Sequence, residues 1–268
     1  MSNEKNRMSW DILSDYYQST TIISLEDVHY GPYSPGEKNI KMIGDVSGLD
    51  VLELGCGGGQ NAIVIAKWGA KTVKALDQST RQLEYAKKLA ESQNVEIEFI
   101  QGSMEDLSVL NDKSIDLIVS SHAISYVEHL QNVLEESFRV LRATGRIVVC
   151  LLHPLMPVVW EAMEEGKFEK IRSYFSNERI IWSWEDKEGR EIASFGSTYY
   201  RFEQIMNGLI IAGFQIERIV EPPGYSIDEV KKLGDAVPYQ NTSEIDTKFI
   251  TINQKIPFSL IVSAIKQL

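Results

Sequence analysis

The chain has 268 residues, 43% hydrophobic and 24% charged, which are ordinary globular proportions and enough for one large domain or one domain with a sizeable insertion. Its formal net charge of −11, with no basic cluster denser than Lys87-Lys88 or Lys231-Lys232, disfavours binding along a phosphate backbone, which needs a positive face. The polar start MSNEKNRMSW lacks the apolar core of a signal peptide, no apolar run is long enough to span a bilayer, and Cys56 and Cys150 form no CxxC pair, so the expectation is a soluble cytoplasmic protein with reduced thiols.

In chain order, residues 8–20 carry Trp10, Leu13 and Tyr17 at helical spacing. The loop SLEDVHYGPYSPGEKN follows, with two prolines and two glycines, and Pro35 opens another helix near its first turn. Residues 1–44 are thus predicted as a helical cap segment ahead of a main domain over 45–268. From residue 49 the pattern alternates. LDVLELG reads as a strand and QNAIVIAKWGA as a helix; KTVKALD as a strand and STRQLEYAKKLAESQN as a helix capped by Ser79. VEIEFIQG and SIDLIVSSH are further strands, HLQNVLEESFRVLRATG a helix carried to Gly145, and RIVVCLL a fifth strand. Strands alternating with helices predict a parallel sheet covered on both faces.

The rhythm breaks at about 153–197, a polar, aromatic-rich and poorly periodic stretch. It is expected as an insertion, a lid over a substrate or equally an arm of a homodimer. YYRFEQIMNGLIIAGF resumes as a helix, FQIERIVEPP as a strand, and FSLIVSAIK closes the chain as another strand. A second irregular insertion lies between them at about 223–257.

The stretch ELGCGGGQ, Glu53 to Gln60, sets glycines at the end of a buried strand, where backbone approaches a ligand closely. A P-loop would need a lysine that is absent. A dinucleotide fingerprint would need a third glycine where Gln60 stands, which weakens a nicotinamide dehydrogenase. Asp77 ends the second strand, 22 residues after Gly55. A carboxylate there can accept two hydrogen bonds from a ribose diol, or serve only as a helix N-terminal acid.

ELGCGGG, LDQS, IEFIQGSMEDL, DLIVSSHAI and VLRATGRIVV, in that order and at that spacing, resemble successive motifs of the class I S-adenosylmethionine-dependent methyltransferases. The resemblance covers roughly residues 45–152, and 198–222 and 258–266 fit the antiparallel end of that fold. It implies an α/β, Rossmann-like, doubly wound fold: a mostly parallel seven-stranded sheet, helices on both faces and an antiparallel C-terminal strand. It also implies S-adenosyl-L-methionine as cofactor. By position, Glu53 and the loop Gly55, Cys56, Gly57 and Gly59 would hold the methionine portion. Asp77, with Gln78 beside it, would take the ribose hydroxyls, Ser103 and Met104 would flank the adenine, and Ser121 and His122 would face the sulfonium and the substrate. Many relatives carry aspartate at position 103, where this chain has Ser103; either Glu105 takes that contact or it is missing.

Methyl transfer from a sulfonium mainly requires a nucleophile placed opposite the leaving sulfur. A hydroxyl or ammonium must first lose a proton, a task suited to histidine. The chain has four histidines. His122 and His153 follow the fourth and fifth strands, where open parallel sheets bind ligands, and His29 lies in the early loop; these three are the catalytic candidates. His129 reads as a solvated helix residue. No closed zinc set or catechol-type carboxylate set is evident, so no metal is expected. Tyr17 and Tyr30 in the N-terminal segment, with Trp160 and Trp182 in the insertion, are candidates for an aromatic substrate wall. SSHA stands where NPPY-type enzymes of planar amino groups carry their tetrad. The expectation is O- or N-methylation of a small-molecule metabolite, without nucleic-acid or membrane partners. An RNA or protein methyltransferase, and a non-catalytic S-adenosylmethionine-binding module, are the alternatives.

Overall fold

The computed structural model describes residues 2–176, 178–242 and 244–267. Seven strands form the central sheet: β1 (Asp50–Leu54), β2 (Thr72–Asp77), β3 (Glu98–Gln101), β4 (Ile115–Ser121), β5 (Leu141–Leu152), β6 (Phe214–Val220) and β7 (Ser259–Lys266). Their spatial order is β3-β2-β1-β4-β5-β7-β6. The first five run parallel, and β7 is inserted antiparallel between β5 and β6. The main helices are α1 (Asn3–Thr20), α2 (Gln60–Lys67), α3 (Thr80–Ser92), α4 (Leu130–Val140), α5 (Met156–Glu165) and α6 (Phe202–Ile211).

Strand alternation divides the interior into two cores. Leu52, Leu54, Ile118, Ile147 and Val149 face Val133, Leu134, Ile205 and Leu209 of α4 and α6. Val51, Leu117, Val119, Val148 and Cys150 face Ala62, Val64 and Leu83 of α2 and α3. Each fully buried Leu, Ile or Val contributes about 1.5–3 kcal/mol. Because the side-chain period is two, slipping a strand by one residue would exchange the two cores, so the register is tightly specified.

The helix expected to run to Gly145 ends sooner. α4 stops at Val140, and Leu141 already pairs with Ile115 on β4. Leu141 is buried in the core of that face, and the Lys266 ammonium takes two of the released carbonyls, Phe138 O at 2.5 Å and Leu141 O at 2.8 Å. Thr144 turns the chain at φ 63 before the continuous part of β5 begins.

The segment 153–197 is more regular than its sequence suggested. It holds α5 and an antiparallel hairpin of Ile180–Glu185 and Glu191–Ser197. The turn is built by Asp186 accepting from the backbone of Glu188 (3.0 Å) and Arg190 (2.9 Å), with Gly189 at φ 75. Segment 223–257 holds two short helices, Ile227–Leu233 and Thr247–Asn253; its Tyr239–Gln240 pairs with Ile22–Ile23. α1 lies across the hairpin and α3. Asn6 exchanges two hydrogen bonds with the backbone of Gly196 (2.8 and 2.9 Å), and Ser79 Oγ donates to Asp11 at 2.8 Å. Among the described residues, no helix is long and apolar enough to cross a membrane.

Candidate functional site

A cavity of about 740 Å³ opens where β1, β2, β4 and β5 end. Its floor is formed by residues that end strands or directly follow them: Gly55–Gly58, Asp77–Ser79 and Ser121–Ala123. α1, the hairpin and Thr247–Asn253 supply its walls.

The glycine loop is shaped by close approach as much as by flexibility. The N–H groups of Gly55 and Cys56 both donate to Leu76 O, at 2.8 and 3.0 Å. Gly55 has φ 69, and a Cβ there would lie 2.2 Å from that of Ala123. Gly57, at φ 51, donates its N–H to Asp77 Oδ2 at 2.8 Å. Asp77 Oδ1 accepts from Ser79 N at 2.8 Å. The Asp77 carboxyl group is thus held at the cavity by backbone donors of Gly57 and Ser79, with Gln78 contributing as well. Burial raises its pKa, and these backbone bonds oppose that rise.

Glu53 is 2% exposed, and its Oε2 is buried with no partner among the described residues. Burial pushes its pKa up to about 8, against the backbone N–H of Ala62 and the side chain of Asn61, which favour the charged form. An unpaired buried carboxyl beside a glycine loop is a place for a cationic group.

Two imidazoles face the cavity. His122 follows β4 in a left-handed conformation, φ 54, and burial lowers its pKa to about 4. His29 has its pKa lowered to about 3 by burial and by the proximity of His122, and its Nδ1 is buried without a partner. Both rings are therefore neutral at physiological pH. His29 meets Tyr239 edge-on at 4.9 Å, and Tyr239 shares a 2.8 Å hydroxyl contact with Tyr17.

The wall beyond them is aromatic. Trp182 stacks on Phe195 at 4.9 Å, and Trp10 meets Tyr126 edge-on at 5.6 Å. On the other side Trp160 leans on Phe249 at 5.5 Å. The cationic side chains at the cavity are already paired: Arg7 with Glu4 and Asp11, Arg172 with Glu161.

Of the residues predicted for the site, Glu53, Gly55, Cys56, Gly57, Asp77, Gln78, Met104, Ser121, His122, His29, Tyr17, Trp160 and Trp182 line this one cavity. Four others do not. Gly59 caps α2 and packs on α3, where its Cβ would be 3.0 Å from Ala86. Ser103 is turned into its own loop, accepting from Glu105 N at 3.1 Å, and Gly102 lines the cavity beside Met104. Tyr30 is buried and donates to Glu37 at 2.6 Å. His153 spends both ring nitrogens elsewhere, Nε2 on Glu221 at 2.8 Å and Nδ1 accepting from Leu155 N at 3.2 Å. Glu105 does not line the cavity either: it accepts from Asn3 (2.9 Å) and from Glu128 N (2.7 Å), which ties down the start of α1. Sequence reasoning missed Trp10 as a lining residue, although it lies seven positions before Tyr17 on the same helix face.

The fold and the cleft at the strand carboxyl ends define an α/β protein that binds a nucleoside-type ligand. Comparison with known proteins narrows this. Residues 52–149 match the family described as Methyltransferase domain. The chain is 34% identical over 184 residues to the uncharacterized methyltransferase YbaJ of Bacillus subtilis, covering 67% of this chain and 71% of that one. It is 34% identical over 158 residues to a demethylmenaquinone methyltransferase of Lactococcus lactis, covering 57% of this chain and 60% of that one. A crystal structure of an S-adenosylmethionine dependent methyltransferase from Mesorhizobium loti shares the fold, with TM-score 0.59 and 21% identity over 84% of this chain and 94% of that one. The chain belongs to the class I S-adenosylmethionine-dependent methyltransferases, and S-adenosylmethionine is its cofactor. The cleft fits that molecule. Glu53 has a buried carboxyl oxygen without a partner among the described residues, which suits an ammonium, a Cβ at Gly57 would meet only Gln82 at 3.9 Å, and Asp77 sets a carboxyl group at the cleft, which suits a ribose diol.

Proposed function

We propose that the protein methylates a hydroxyl oxygen or an amine nitrogen of a planar, uncharged small molecule, with His122 as the proton acceptor. The observation that carries this reading is a neutral imidazole lining the same cavity as the glycine loop and the aromatic side chains. The bound cofactor supplies a methyl group already activated on a sulfonium. Glu53 would pair with its ammonium, Asp77 would hold its ribose, and Gly102 and Met104 would border its adenine. The aromatic wall of Tyr17, Trp160 and Trp182 would sandwich the acceptor ring, with residues 1–44 and 153–197 acting as its cap and lid. Among the described residues lining the cavity, Arg7 and Arg172 are both occupied by carboxylates, which favours an uncharged acceptor. The relative named for demethylmenaquinone supports a planar acceptor as well.

The test is incubation with methyl-labelled S-adenosylmethionine and a size-fractionated cell extract, with Asp77→Ala as control. Label is expected in the small-molecule fraction and absent with the variant. Label in RNA or protein would overturn the acceptor class.

Trp182→Ala removes a cavity-lining indole that is backed by Phe195 and is expected to raise the acceptor KM about tenfold, the loss of one aromatic contact of roughly 1.4 kcal/mol. Cofactor affinity measured by calorimetry should stay unchanged. Loss of both would mean that the hairpin, not the contact, had failed.

Glu53 makes cofactor binding pH-dependent. In the free protein its carboxyl stays protonated up to about pH 8, whereas an unfolded chain ionises it near 4.5. The folded state therefore binds the extra proton in that window, and its stability contribution falls as pH rises through it. An ammonium placed beside Glu53 favours the ionised form, so binding expels the proton. Affinity is expected to rise between about pH 5.5 and 7.5, by up to about tenfold per unit, until the cofactor's own amino group deprotonates. Calorimetry in buffers of different ionisation enthalpy reads the proton directly, and Glu53→Gln should abolish the release.

A further inference from the structure

Behind the cavity surface, Ser259 at the start of β7 meets the far side of the His122 ring. Ser259 is fully buried; its Oγ lies 2.6 Å from Tyr30 O and 3.1 Å from His122 Nε2. A hydroxyl carries one proton, and the Tyr30 carbonyl can only accept, so that proton points to Tyr30. Toward His122 the same oxygen is left as an acceptor, and Nε2 must then carry the ring hydrogen. Cys150 repeats the arrangement. Its Sγ is 3.6 Å from Tyr30 O and 3.4 Å from Nε2, and burial pushes the thiol pKa up to about 12, so it remains a thiol that donates to Tyr30. Ser259 has no proton to spare for Nε2, and the Cys150 thiol would turn its proton to Nε2 only in the opposite tautomer. The Tyr30 backbone also hydrogen-bonds the ring, and a carbonyl can only accept, so this contact too calls for an N–H on the imidazole.

The backbone is built around this contact. Gly31, at φ 107, passes so close that a Cβ would lie 2.7 Å from Ser259 Oγ and 2.8 Å from His122 Nε2. His122 itself is held in the left-handed region, unfavourable for a residue with a side chain, and its N–H donates to Cys150 O at 2.8 Å. Ring and anchor are thus fixed by three different strand ends, with little freedom to rotate.

We infer that Ser259 is the positioning residue that locks His122 in its Nε2–H tautomer, so that the Nδ1 lone pair is the one presented to the acceptor. The inference rests on the reading of His122 as proton acceptor. In that role the acceptor's hydroxyl or amine proton passes to Nδ1, and the imidazolium keeps its second N–H on Ser259. Serine replaces the carboxylate that orients many catalytic imidazoles, and it does so without adding a negative charge beside a cationic cofactor.

The experiment uses the full chain labelled with nitrogen-15 at histidine. With four histidines the spectrum is simple, and His122→Gln assigns the relevant pair of resonances. The ring-nitrogen shifts of wild type should show the Nε2–H form alone. In Ser259→Ala the tautomer ratio should move about three- to tenfold toward Nδ1–H, the weight of one net hydrogen bond, while Ser259→Thr, which keeps the hydroxyl, should restore it. Cofactor affinity should be unchanged in both. A wild-type ring that is Nδ1–H or mixed overturns the lock even if Ser259→Ala does not fold, and so does a Ser259→Ala ratio equal to wild type. A locked ring in a protein whose His122→Gln variant still turns over normally supports the lock and overturns His122 as the base, so the two readings fail separately.

Discussion

Asp77→Ala is expected to weaken S-adenosylmethionine binding by at least a hundredfold, toward the limit of calorimetric detection. The estimate counts only the ribose. Two hydrogen bonds to a charged, buried acceptor are worth about 1.5–3 kcal/mol each, and their joint loss exceeds the 2.7 kcal/mol or so that a hundredfold represents. The same substitution frees the Gly57 and Ser79 N–H groups, both of which Asp77 holds at 2.8 Å, so the glycine loop also loses its tether. Asp77→Asn separates the two effects. Its amide can accept from one of those donors while presenting its NH2 to the other, which should cost loop order as well as ribose binding. Binding by Asp77→Ala within tenfold of wild type would mean that the carboxylate only organises the turn and that the ribose is held elsewhere.

What was legible in the sequence is what is local. The alternation from Val51 to Leu54, the glycines after it and the acid ending β2 are all written within one strand–turn–helix unit, and each lies where that unit predicts. Met104 and Ser121 follow for the same reason, because a residue at or just past the carboxyl end of a parallel strand lies at the cleft whatever the rest of the chain does. The hairpin of 180–197 was legible too, in the alternation IIWSWE and the Asp–Lys–Glu–Gly turn, but it was hidden by reading the whole insertion at once. His153 and Tyr30 show the opposite limit. Whether a histidine after a strand faces the cleft depends on its partners, and His153 found Glu221, 68 positions away. Tyr30 was claimed by Glu37, whose carboxylate also gathers the backbone N–H groups of Met42, Ile43 and Gly44. Ser259 lies 137 positions from the ring it touches, and nothing in its neighbourhood FSLIV marks it as more than a strand residue.

His122→Gln should lower turnover by about 10²–10⁴-fold, the usual weight of a positioned general base, and leave cofactor affinity within about threefold of wild type. The pH profile gives the sharper test. Burial places the His122 pKa at about 4, so the ring is unprotonated at neutral and mildly acidic pH. A bound sulfonium adds positive charge nearby and can only lower that value further. The acid limb of kcat should therefore lie below about pH 5 rather than near the 6.5 of a free imidazole, leaving the rate flat to the point where the acceptor itself ionises. A base this weak is useful only if the proton leaves as the new bond forms, since it could not hold a proton taken from a ground-state hydroxyl. The cationic cofactor makes that timing natural: its positive charge disappears in the same step in which the imidazolium would gain one. An acid limb near pH 6.5 in wild type that vanished in His29→Gln would instead move the base to the neighbouring ring, where Nδ1 is already buried without a partner.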